Sequence, residues 1–277
     1  MTICKLAAIM AALADSTLAV GVDPEDPEAL TGIYVEYWVP PSGNPCGSSP
    51  PSVGDGWFAV PGFPSRGATC PGATPQNGLA YGSNVSFTGN AGASYRVFAV
   101  DSAQAIGSIT VSGSGFTLIV GRSSLTNPPF TNPTVPLVTP GGGAIGAISA
   151  PGGTVQVRST GVVTSVSANS IVRIDARNGI GTVDSATTIF AVRAPRITGN
   201  VSAAGTITSV LIENWDSGNS TQDYTSVVSS SSSSVQEVLV SGARVLGAVT
   251  ADQGAIGVIG GGSVVGIGPA AGTPAVI

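Results

Sequence analysis

Charge is what this sequence has least of. Only 9% of its 277 residues are Asp, Glu, Lys or Arg, against about 25% in an ordinary soluble domain. A freely diffusing monomer keeps a charged exterior that discourages association. A chain without one is expected to be covered by partners, by glycan or by copies of itself. Histidine is absent, and Lys5 is the single lysine. These gaps remove the usual general base, the commonest metal ligand and the Schiff-base nucleophile. No Ser-His or Cys-His pair, histidine metal centre or phosphate-binding Gly-Lys-Ser/Thr loop can be drawn. No catalytic residue, metal or cofactor is therefore expected, and structural work is favoured over enzymatic work. The net charge of -5 leaves no basic patch for nucleic acid or an anionic membrane.

Cysteine is scarce too. Cys46 and Cys70 lie in a Gly/Pro-rich stretch and are the disulfide candidate. Such a bridge closes a loop of about two dozen residues, worth about 3 kcal/mol on the chain-entropy model. The alternative is two free buried thiols. Cys4 falls in an export-like segment: residues 3–14 carry one positive charge, a short apolar run and small residues at Ala12 and Ala14. Cleavage is expected after Ala14 or Ala19 if the segment is removed, which places the protein outside the cell or on its surface. Residues 254–277 hold many glycines with Pro269 and Pro274, so a glycine-laden strand pair is expected there and no membrane span.

What is present is β-branched and periodic. Apolar residues make up 42%, enough to exclude disorder throughout. The fold class expected is all-β: a sandwich or barrel domain over residues 31–122, a Pro/Gly linker over 123–143, and a parallel β-solenoid over 144–277. The first domain is inferred from strand candidates at Ile33–Val39, Trp57–Phe63, Val85–Thr88, Tyr95–Val100, Ile106–Val111 and Phe116–Gly121. Val111-Ser112-Gly113-Ser114-Gly115-Phe116 has the look of a hairpin. Twelve of the fifteen aromatic residues precede position 140, as filling a sandwich core requires. Residues 23–30 form an acidic, proline-containing spacer, Asp23-Pro24-Glu25-Asp26-Pro27-Glu28 and onward. An apolar segment, 1–22, with alternating Leu18, Val20 and Val22, precedes it.

From residue 144 a motif recurs. Ile145-Gly146-Ala147-Ile148-Ser149-Ala150 is echoed by Val163–Ala168, by Ile180–Ala186 and by Ile197–Ala203. The closing alanines at 150, 168, 186 and 203 step by 18, 18 and 17 residues. A repeat of that length holding two or three short strands is one rung of a solenoid. Glycine density and β-branching exclude a helix. Residues 214–234, ending in six consecutive serines, are expected to project as a loop.

The Ile-Gly-x-Ile-x-Ala rungs resemble repetitive β-solenoid proteins of bacterial surfaces, including adhesin passenger domains, although no membrane barrel follows as the autotransporter plan has it. The N-terminal half resembles subunits of extracellular fibres joined by donor-strand exchange. That resemblance implies a homopolymer in which Leu18, Val20 and Val22 of one copy supply a strand to another. A solenoid end without a polar cap supports the same expectation. The expected function is thus a structural subunit of a self-assembling extracellular filament or surface layer.

Two alternatives stay open. Arg158, Arg177 and Arg193 fall eight, nine and seven residues after the repeat alanines. A stripe of these three would let an adhesin bind acidic glycan, or grip a neighbouring subunit; the competing reading is a solvated face. A polysaccharide hydrolase or lyase would use carboxylates, with Asp175 and Asp184 the two in clear rungs.

Overall fold

The computed structural model describes residues 30–38, 57–65, 76–101, 103–121, 143–213, 223–241, 244–245, 247–260 and 263–264. The chain divides into Met1–Leu30 and Thr31–Ile277, and every described strand belongs to the second unit. Cys46, Cys70, Leu18, Val20, Val22 and the proline-rich linker lie outside the described residues.

Among the described residues the protein is all-β, without a helix, and coils as a parallel solenoid of about seven turns. One ladder contains β3 (Val85–Gly89), β5 (Ile109–Gly113), the first halves of β7 (Ile145–Ser159) and β8 (Val162–Ala176), β9 (Gly179–Ser185), β11 (Val201–Ala203), β13 (Val228–Ser230) and β16 (Val249–Ala251). The other runs through β4 (Ser94–Ala99), β6 (Phe116–Val120), the second halves of β7 and β8, β10 (Ile189–Ala194), β12 (Ile207–Ile212), β14 (Val235–Val240) and β17 (Ile256–Gly260). β1 (Ile33–Trp38) pairs antiparallel with both β4 and β2 (Trp57–Ala59), closing the first turn differently from the rest. β15 (Arg244–Val245) and β18 (Ser263–Val264) form a separate parallel pair.

The sequence explains the stacking. In the first ladder, every rung places one β-branched residue at the same inward position: Val85, Ile109, Ile148, Val166, Val183, Val201, Val228 and Val249, none more than 1% exposed. Burying each such side chain is worth about 1.5–3 kcal/mol. Alternation sends the next residue out to solvent and the one after it back into the core. That second inward slot is small from β7 onward: Ala150, Ala168, Ser185, Ala203, Ser230 and Ala251. In the second ladder Ile171, Ile189 and Ile207 stack directly.

Four expectations are corrected. Among the described residues no separate sandwich or barrel stands before the solenoid: β3 to β6 run parallel within the same ladders as β7 and are the solenoid's first turns. Long insertions hid them, since Val85 pairs with Ile109 and Ile109 with Ile148, offsets of 24 and 39 residues. The step is 18, 17 and 18 residues from Ile148 to Val166, Val183 and Val201, then lengthens to 27 and 21 on the way to Val228 and Val249. A uniform 17–18-residue rung is therefore confined to the middle turns. The 111–116 hairpin is a corner instead, because β5 and β6 belong to different ladders. Positive φ at Gly113 (91°) and Gly115 (73°) turns the chain there without reversing it.

Of the expected 214–234 loop, residues 214–222 lie outside the described residues, and the serine run itself does not project. Ser229 and Ser230 lie in β13, and the buried Ser230 hydroxyl donates to the Gly205 carbonyl at 2.8 Å. Tyr224, also expected in that loop, is 1% exposed within the core.

Candidate functional site

Two outward surfaces carry the polar side chains, and they differ in kind. Outside the second ladder lies a row of charge. Its first member is an ion pair across β1 and β4, where Arg96 Nε donates to Glu36 Oε2 at 2.6 Å. Arg96 is fully buried, with the Trp57 ring 4.4 Å from its guanidinium. Further along, Arg158 pairs in register with Asp175 and Asp175 with Arg193. Arg173 Nε donates to Asp175 Oδ2 at 2.7 Å, and Arg193 forms an ion pair with Glu213.

This geometry separates the three arginines of the expected stripe. Arg158 and Arg193 share a column, but Asp175 sits between them. Arg177 lies past the end of β8, exposed at the corner, its backbone N–H donating to the Ser159 carbonyl at 2.9 Å. Like charges on neighbouring strands repel, and an interleaved carboxylate turns that repulsion into attraction. Arg158 and Asp175 are 6% and 1% exposed, so they are not presented as an open glycan-binding stripe. Among the described residues, Asp175 Oδ1 and Gln156 Oε1 are buried without a hydrogen-bond partner.

The carboxylates considered for hydrolysis do not converge. Asp175 faces outward from the second ladder and Asp184 from the first, where it is exposed and accepts a 2.7 Å hydrogen bond from the Ser202 hydroxyl. Among the described residues, no cluster of three or more His, Cys, Asp or Glu could hold a metal ion. No helix among them is long and apolar enough to cross a membrane.

The second surface was not anticipated. Outside the first ladder, register pairing links Ser86, Thr110, Ser149, Ser167, Asp184, Ser202, Ser229 and Thr250 in one unbroken column. Seven of these eight positions are hydroxyls, and none is buried. The signal was in the sequence: from β7 onward each rung reads Val or Ile, then a small polar residue, then a small inward residue, as in Ile148-Ser149-Ala150 and Val249-Thr250-Ala251.

Comparison with protein-family models, with curated proteins and with solved structures finds no match to this chain.

Proposed function

We propose that the protein is a structural subunit of a self-assembling extracellular filament or surface layer. In it, the apolar arm around Leu18, Val20 and Val22 of one copy adds as a strand to another copy's ladder. The observation that carries this reading is the pair of parallel ladders. Among the described residues β3 and β16 end the first, and β17 ends the second. A terminal strand offers a row of backbone donors and acceptors to an added strand. The scarcity of charge, 9% of residues, supports the same reading, since little repulsion opposes the approach of copies. The interleaving of Arg158, Asp175 and Arg193 favours a structural role for these charges over glycan binding.

The test is deletion of residues 1–22, beside a full-length chain carrying Leu18→Lys, Val20→Lys and Val22→Lys. Both proteins should keep the β circular dichroism of the parent and lose ordered polymer in negative-stain micrographs. Polymer of unchanged length and abundance in both would remove the arm from the mechanism.

A further inference from the structure

The geometry points to the hydroxyl column outside the first ladder as a lateral interface, on which a second copy of this chain docks face to face with its rod antiparallel. This contact is separate from strand addition, because it uses the side of the solenoid and not its ends.

Three observations carry it. The first is shape. The positions flanking the column two residues away, among them Asn84, Ala147, Ser165, Thr182, Ala204 and Ser231, are small throughout. Among the described residues, none larger than Val, Asn, Asp or Pro stands at these flanking positions, whereas the second ladder presents Arg, Gln, Glu and Phe190. Small side chains on a regular strand spacing let two sheets approach and interdigitate, as in a steric zipper.

The second is area. Eight rungs span about 34 Å and a five-residue strand about 17 Å, so each copy contributes about 570 Å². Two copies bury about 1,100 Å², just above the roughly 1,000 Å² that a specific interface needs. The surface is also open, for none of the eight column residues is buried in the chain as it stands.

The third is charge, which selects the orientation. With rods parallel, rung meets like rung and Asp184 faces Asp184. With rods antiparallel, the fifth rung meets the fourth, and Asp184 faces the Ser167 hydroxyl of the partner copy. Ser202 already donates to that carboxylate at 2.7 Å, so a second hydroxyl donor completes its solvation. The two Asp184 carboxylates then lie one rung apart, about 4.8 Å along the rod axis. This remaining repulsion weakens the contact. Removing it therefore tightens the pair.

The experiment uses the full chain and two variants at outward-facing positions that are not buried, where substitution leaves the fold intact. In Ser149→Arg/Ser202→Arg, two bulky cations stand in the face. Asp184→Ser completes the hydroxyl column. Sedimentation velocity gives the association constant, and negative-stain microscopy gives the width of any polymer. The expected result is a parent that pairs laterally, an arginine variant reduced to single rods at least tenfold more weakly associated, and an Asp184→Ser variant about tenfold tighter. Loss of filament length with unchanged width would indict strand addition alone. Three results overturn the lateral interface: single-rod width in the parent, unchanged pairing in the arginine variant, or weaker pairing in Asp184→Ser. A fourth is retention of the parent on insoluble cellulose or chitin, lost in the arginine variant without any lateral pairing, which would assign the face to a polysaccharide.

Discussion

Substituting Arg96 by Met tests whether the first turn closes over a dry ion pair. Arg96 is fully buried, its partner Glu36 has a side chain 4% exposed, and a terminal guanidinium nitrogen lies 2.5 Å from Glu36 Oε2. Trp57 and Phe98 lie 4.4 and 5.1 Å from the guanidinium carbon. Removing one partner of such a pair leaves a buried charge uncompensated, at a cost of about 3–5 kcal/mol. Loss of the contact with Trp57 is contained in that figure and accounts for about 0.5–2 kcal/mol of it. The double variant Glu36→Leu/Arg96→Met behaves differently, because replacing both charges by apolar groups removes the desolvation penalty as well. Its stability is expected within about 2 kcal/mol of the parent, so the second substitution restores most of what the first removed. Urea denaturation followed by tryptophan fluorescence measures this, with Trp57 as the local reporter. A single variant within about 0.5 kcal/mol of the parent would mean that water reaches the pair, and the reasoning about this cap would fail.

Two further outcomes are expected from the core. Phe116 is packed between glycines: a β-carbon at Gly153 would lie 2.5 Å from its Cζ and one at Gly89 2.5 Å from its Cδ1. Gly153→Ala should destabilise the protein by about 1–3 kcal/mol, and Phe116→Leu in the same chain should recover part of the loss; equal loss in both would place the clash elsewhere. Burial pushes the Tyr224 hydroxyl well above its ordinary value near 10. The unfolded chain then ionises first, so stability is full below pH 10 and falls above it by about 1.4 kcal/mol per pH unit for this group. Tyr224→Phe should flatten that part of the pH dependence, and an unchanged slope would show that Tyr224 is solvated.

The period of the coil was legible because inward residues must repeat wherever rungs stack. The motif ending in Ala150, Ala168 and Ala203 records those contacts directly. Its register was not legible. Ser185, not Ala186, pairs with Ala168, since a serine fits the small inward slot once its hydroxyl donates to the Asn169 and Thr188 carbonyls at 2.9 and 3.0 Å. The β7–β8 pairing also slips, between Ala150 and Thr154 and between Val155 and Gln156, so Arg158, eight residues after Ala150, meets Asp175, seven after Ala168, and Arg177 falls beyond the strand. The early turns were hidden for another reason. Tyr95 packs against both Phe87 and Phe116, and these rings fill the interior where later rungs use valine and isoleucine. Large aromatic residues separated by long insertions look like a sandwich core, although their strands join the same ladders. The hydroxyl column went unseen because solvent-facing serines are ordinary one at a time; only the register aligns them.

Association of identical chains is the claim on which the functional account stands, and sedimentation velocity of the purified, full-length protein over a wide concentration range measures it most directly. The account predicts species larger than one chain that grow with concentration. A single monomeric boundary at every concentration, with the N-terminal arm intact, would contradict it.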